Sequence, residues 1–249
     1  MNKFLKLSDS QRKTVYESIA HKVGLPAQVV EKDFWVTAIL QVVFALPVAG
    51  HIVFKGGTSL SKGWKLIERF SEDIDLAVDP VFLGAQEGDL TKKQIKSILG
   101  EHLPVMPLND SVINTAIPAK TFLEKAFLLH ELFSIPGHGM IAERKSRHLY
   151  DLYVMMNKDL ARDAVSNDVL WESIRHHREI YTSVRGVDYT PDVRKRLQLI
   201  PRKDIIDTWS SDYDSMKESM IYGEKPTFDE LLKGMSKLQE MFRGEDCHK

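Results

Sequence analysis

Cysteine is almost missing from this chain: its 249 residues hold one, Cys247. An internal disulfide framework is therefore excluded, as is a Cys-rich zinc site, and the usage fits a reducing, cytoplasmic setting. Net charge is almost missing too, at −1. No whole-molecule field marks a nucleic-acid or membrane partner, so any electrostatic footprint has to be local. Long apolar runs are also lacking. The longest mainly apolar stretch, 34–54, is interrupted by Thr37, Gln41, Pro47, Gly50 and His51. It reads as helix, turn and strand rather than a membrane span. The opening MNKFLKLSDSQRKTV has no sustained apolar core of the kind a secretory leader needs. No repeat or low-complexity tract is visible. What remains is the composition of a soluble globular chain, long enough for one large domain or two small ones.

Helical signals come first. Ser8 with Gln11 forms a capping box, and Val15, Ile19 and Val23 recur at the helical period as far as the Gly24-Leu25-Pro26 break. A second helix is expected over 27–45. Residues 51–55 have the β-branched and aromatic content of a short strand. Gly56-Gly57 then turns the chain. A helix is predicted over 58–70 with Leu60, Trp64 and Ile67 on one face, and 73–78 alternates polar and apolar like a half-buried strand. Residues 81–120 are poorly patterned: 92–103 can be helical, and the proline-interrupted 105–118 offers only scraps of strand. From Thr121 onward the reading is helical, over 121–134, 145–157, 160–185, 201–221 and 227–243. The fold class is α+β, with an α+β half over 1–120 followed by a helical half over 121–249.

The chemistry sits in Phe54-Lys-Gly-Gly-Thr-Ser-Leu-Ser61 and Arg69-Phe-Ser-Glu-Asp-Ile-Asp75. Two residues apart on a strand, Asp73 and Asp75 leave the same face with Cα atoms about 7 Å apart. Like charges so placed repel unless a cation lies between them. Mg²⁺ suits the place, because it takes carboxylate oxygens at about 2.1 Å and completes its shell with water and phosphate. Gly56 and Gly57 allow the backbone to approach a phosphate closely, and the N–H groups that follow make an anion site. Thr58 or Ser59 can add a hydroxyl donor. No Lys-Ser/Thr follows the glycines at the spacing of a P-loop.

Gly56-Gly-Thr-Ser-Leu60 followed by Asp73-Ile-Asp75 resembles the first motif of the DNA polymerase β-like nucleotidyltransferase superfamily. More narrowly, the chain resembles the AbiEii/AbiGii nucleotidyltransferase toxins of type IV toxin–antitoxin and abortive-infection systems. Residues 30–37, 121–131, 146–153, 212–216 and 228–232 extend the likeness over nearly the whole chain. The resemblance implies a small mixed sheet with helices, followed by a C-terminal helical bundle. It also implies that Gly56, Gly57, Thr58 and Ser59 hold the triphosphate of an NTP and that Asp73 and Asp75 hold Mg²⁺. Lys125 would contact nucleotide phosphates, with Asp151 near the site. The residues themselves leave room for other roles. Lys125 in an apolar helix is either paired or snorkels. Asp151 can be an N-cap or a partner of Arg147, and His130 and His148 read as satisfied, partly buried histidines rather than ligands.

The expected activity is transfer of a nucleoside monophosphate from an NTP to a hydroxyl of RNA, such as a tRNA 3′ end, or of a protein. A cognate antitoxin follows from the same likeness, and the interrupted apolar stretch implies no membrane partner. Arg175, His176, His177, Arg178, Arg185, Arg194, Lys195, Arg196, Arg202 and Lys203 could track RNA phosphates. Family members carry further strands before the lysine helix, one with a third carboxylate. Here Glu101 and Asp110 lie in a proline-rich stretch without strand pattern. That departure motivates a nucleotide-binding member with weakened catalysis as an alternative. A transferase acting on small molecules is another.

Overall fold

The computed structural model describes residues 2–71, 73–79, 81–82 and 113–244. The expected helix over 92–103, the acids Glu101 and Asp110, and Cys247 lie outside them. Two compact units emerge among the described residues. One runs up to Lys65 and from Phe70 to Ala116; the other takes Leu66–Arg69 and everything from Ile117 onward.

The first unit opens with α1 (Asn2–Leu5), α2 (Asp9–Val23) and α3 (Ala27–Val43). The capping box forms: Ser8 Oγ accepts the Gln11 amide at 3.3 Å and Gln11 Oε1 accepts the Ser8 amide at 3.0 Å. Gly24, at φ 68°, ends α2 in the left-handed conformation that glycine adopts without a Cβ penalty. The expected apolar face of α2 is not its buried one. Ile19 and Val23 are each 41% exposed, whereas Tyr16 and Ala20 are buried. The Tyr16 ring meets Phe4 and Phe34 at centroid distances of 5.5 and 6.1 Å. A large aromatic removes more apolar area from water than a single aliphatic side chain, so these contacts decide how α2 is rotated.

Val36, Leu40 and Phe44 of the α3 face form a core with Leu46, Val48, Ile52 and Phe54. Here β1 (Ile52–Lys55) pairs antiparallel with β2 (Asp75–Val78), in the register Ile52↔Val78, Val53↔Ala77, Phe54↔Leu76 and Lys55↔Asp75. Alternation sends Ile52 and Phe54 into the core and leaves Val53 38% exposed. On its other edge β1 is bonded to 114–116. The Phe54 amide donates to the Asn114 carbonyl at 2.7 Å, and the Ala116 amide donates to the Phe54 carbonyl at 2.8 Å. That parallel bridge is a strand fragment within the poorly patterned stretch.

The helix expected over 58–70 is shorter. Helical backbone runs through α4 (Gly56–Thr58) and a π turn, Ser59–Gly63. It stops before Lys65, which has a φ of 52°. Leu60 and Ile67 are buried but Trp64 is 43% exposed, so the three do not share a face. Ile67 belongs to the second unit, where Arg69 bridges Ile221 and the Glu68 carbonyl accepts the amides of Tyr222 and Gly223.

In the second unit α5 (Pro118–Phe133) packs against α6 (Arg147–Met156), α7 (Asp159–Ser166) and α8 (Asp168–His177), with α9 (Ile206–Ser219) and α10 (Phe228–Arg243) following. The segment expected as one or two helices over 160–185 divides at Asn167, whose side chain leaves the helix to cap α8 through the Leu170 amide at 2.9 Å. Gly234 lets α10 lie close on α6: a Cβ there would sit 2.6 Å from the Tyr153 ring. No helix among the described residues is long and apolar enough to cross a membrane.

Candidate functional site

The glycine turn and the two aspartates meet in the first unit. Ile74, Leu76 and Val78 pack on the core, so the alternation leaves Asp73 and Asp75 exposed together. The strand itself begins only at Asp75. Asp73 is placed from the turn instead, where Thr58 Oγ1 donates to its backbone carbonyl at 2.5 Å. Gly56 adopts φ 77°, and a Cβ added to it would lie 2.0 Å from Asp75 Oδ2. Both facts demand glycine at position 56.

The hydroxyls expected to face phosphate are spent on the protein. Thr58 is engaged as above, Ser59 Oγ donates to the Gly56 carbonyl at 2.8 Å, and both residues are buried. They shape the turn rather than offer it a proton. Lys55 lies directly across the ladder from Asp75, while Lys62 is held by Asp33 at 2.8 Å. Hard carboxylate oxygens on an exposed face, packed so tightly on a glycine that a methyl is excluded, suit an oxygen-seeking divalent cation such as Mg²⁺. Among the described residues no group of three or more His, Cys, Asp or Glu is placed to hold a metal. The fragment pairing with the other edge of β1, Ile113-Asn-Thr-Ala116, carries no acid.

Lys125 and Asp151 meet in the second unit. The Asp151 carboxylate is fully buried and gripped by Arg69, Nε to Oδ1 at 2.6 Å and Nη2 to Oδ2 at 2.7 Å, while Lys125 Nζ lies 2.8 Å from Oδ2. Asp151 is thus neither an N-cap nor principally a partner of Arg147. Burial opposes its charge, but the guanidinium and ammonium override that and hold its carboxyl well below the usual carboxylate range. Burial pushes Lys125 down, against the pull of Asp151. His148 Nδ1 stands 3.2 Å from Lys125 Nζ. Burial first and then the neighbouring ammonium keep His148 neutral far below its ordinary pKa. Residue-type reasoning missed Arg69. The available signal was an arginine four positions before the first aspartate; its partner lies 82 residues away in sequence.

His130 is buried and its Nδ1 accepts the Gln198 amide at 3.2 Å, but its buried Nε2 has no hydrogen-bond partner among the described residues, so the expected satisfied histidine is only half satisfied. The basic tract is largely consumed internally. Arg175 binds Glu172, Glu179 and the Tyr189 carbonyl. Arg178 binds Glu131, Arg194 binds Asp168, and Arg196 binds Asp188 and Asp192. Arg202 caps the carbonyls of Leu132, Phe133, Ile135 and His138.

Comparison with known proteins adds one match. A family model described as "Nucleotidyl transferase AbiEii toxin, Type IV TA system" matches residues 39–106 and 78–234. No curated protein and no solved structure matches the chain.

Proposed function

Since the chain belongs to the AbiEii family of nucleotidyl transferase toxins of type IV toxin–antitoxin systems, we propose that it is an Mg²⁺-dependent enzyme that moves a nucleoside monophosphate from an NTP to a hydroxyl of RNA. The observation that carries this reading is the Asp75 carboxylate seated against the Cα of Gly56, beside Asp73 on an open face. In this reading Asp73 and Asp75 hold the ion, which when bound would offset charge on the phosphoryl oxygens and orient them. The backbone of the Gly56-Gly57 turn faces the triphosphate, and the Thr58 and Ser59 hydroxyls keep that turn in shape. The family likeness assigns Lys125 a phosphate-contacting role; within the second unit its ammonium is held by Asp151, which Arg69 orients. The acceptor oxygen bonds to the α-phosphorus as the α–β bridge breaks and pyrophosphate leaves. A polymerase β-like arrangement of the whole sheet, and an antitoxin partner acting on this chain, belong to the same proposal.

A second reading is a member that binds nucleotide without turnover. It is favoured by the absence, among the described residues, of a third metal-ligating side chain. Incubation with α-³²P-labelled NTPs, Mg²⁺ and RNA decides between them. Label is expected on RNA, to vanish with EDTA and in Asp73→Ala. NTP binding without label on RNA, protein or small acceptors would leave the second reading standing.

A further inference from the structure

We propose that an open cleft of the second unit, between the end of α7, residues 191–195 and the end of α10, binds the phosphodiester backbone of single-stranded RNA. The choice of RNA rests on the function proposed above; the anion site rests on geometry. The cleft has a volume of about 810 Å³ and is lined by Arg162, Lys195 and Arg243, among others. These cations converge from three separate parts of the sequence. Among the described residues the side chains of Arg162 and Lys195 have no ion pair or hydrogen bond, and Arg243 donates through Nε to the Lys195 carbonyl at 3.3 Å. Arg162 and Lys195 differ in this from Arg175, Arg178, Arg194, Arg196 and Arg202, which are bound to acids or carbonyls.

Two acids also face the cleft, and they do not cancel this charge. Asp192 is paired with Arg196, which it shares with Asp188. Asp163 is left as the lining acid without a cation partner among the described residues. Arg194, also in the lining, is taken up by Asp168 at 2.6 Å and lies over the Trp171 ring at 5.4 Å. The floor is apolar, formed by Val165, Met241 and Phe242. It is also firmly supported, since the Phe242 ring packs on Trp171 at 5.5 Å and on Phe122 at 6.5 Å. Cations on a rim over a rigid apolar floor suit a strand whose phosphates meet the rim and whose bases lie on the floor. Guanidinium forks can take phosphate oxygens in pairs.

The test is fluorescence anisotropy of a labelled, mixed-sequence single-stranded oligoribonucleotide with the full chain, in the absence of NTP and Mg²⁺. Expected is binding whose log Kd rises with log salt at a slope of about 2, as three phosphate contacts on a single strand give. Arg162→Glu with Lys195→Glu should weaken it at least tenfold while leaving the urea midpoint unchanged, because both side chains are exposed. An unchanged oligonucleotide affinity in the double variant overturns the proposal. So does a cleft that takes a poly-glutamate peptide in preference to RNA. NTP labelling of an acceptor is measured on the same samples. Transfer that persists while RNA ignores the charge reversal sinks the cleft alone; charge-sensitive RNA binding without transfer to any acceptor sinks the enzymatic reading alone.

Discussion

Gly56 and the buried carboxylate of Asp151 have surroundings that leave little room for change. In Gly56→Ala the new methyl meets the Asp75 carboxylate, and φ 77° is strained for any side chain. Displacing that carboxylate by about 1 Å is expected to lower nucleotide transfer on the order of 10²-fold. Urea titration should record a stability loss of about 1–3 kcal/mol. If the variant keeps wild-type transfer, Asp75 does not act from the seat described. Arg69→Met removes a cation from a carboxylate that water does not reach, with an expected loss of about 3–5 kcal/mol. The triple variant Arg69→Met, Asp151→Leu, Lys125→Met leaves no unpaired charge and should lose less stability than Arg69→Met alone, while abolishing transfer. Comparing the two denaturation midpoints checks this: a triple variant less stable than the single one would mean that the cluster's shape, not its charge balance, matters.

At the scale of elements, α5 and α6 carry a pH dependence. His130 is buried and His148 half-buried, and each is held neutral, its pKa lowered from the ordinary value by desolvation. Between those lowered values and about 6.5 the unfolded chain takes up protons that the folded one refuses, so stability must fall as pH drops below about 6.5. Asp151, held low, works in the same direction only in stronger acid: its contribution is present above the usual carboxylate range and is lost below it. Urea midpoints at pH 7 and pH 5 should therefore differ, and His148→Gln should narrow the difference. A midpoint that is level across this range would show that neither imidazole is kept neutral. Element packing also gives Gly234 its role. Gly234→Leu would drive a side chain into the Tyr153 ring and separate α10 from α6, at a cost of about 1–3 kcal/mol. A normal melting temperature for that variant would refute the close approach.

For the molecule as a whole, ligand linkage is the relevant test. ATP with Mg²⁺ should raise the melting temperature of the native chain, ATP with EDTA should raise it less, and Asp73→Ala with Asp75→Ala should abolish the difference. An Mg²⁺-dependent shift that survives the double substitution would place the ion elsewhere. Local signals sufficed for much of this architecture. The capping box at Ser8, the polar–apolar alternation that leaves Asp73 and Asp75 exposed, and most helices from Pro118 onward depend on residues a few positions apart, and short-range sterics and hydrogen bonds act there whatever the rest of the chain does. The AbiEii likeness was legible for the same reason, since its motif is contiguous.

Three features depended on distant residues. The face of α2 was set by aromatic partners in α1 and α3. The end of the helix after Gly57 was set by the passage of Leu66–Arg69 into the second unit. The fate of the basic tract was set by acids such as Glu131 and Asp168, which lie outside it. Burial and charge pairing are properties of space rather than of spacing along the chain. The sequence by itself therefore determined the family and where its motif lies, and only the tertiary structure decided that Arg69 grips Asp151 and which cations are paired with acids.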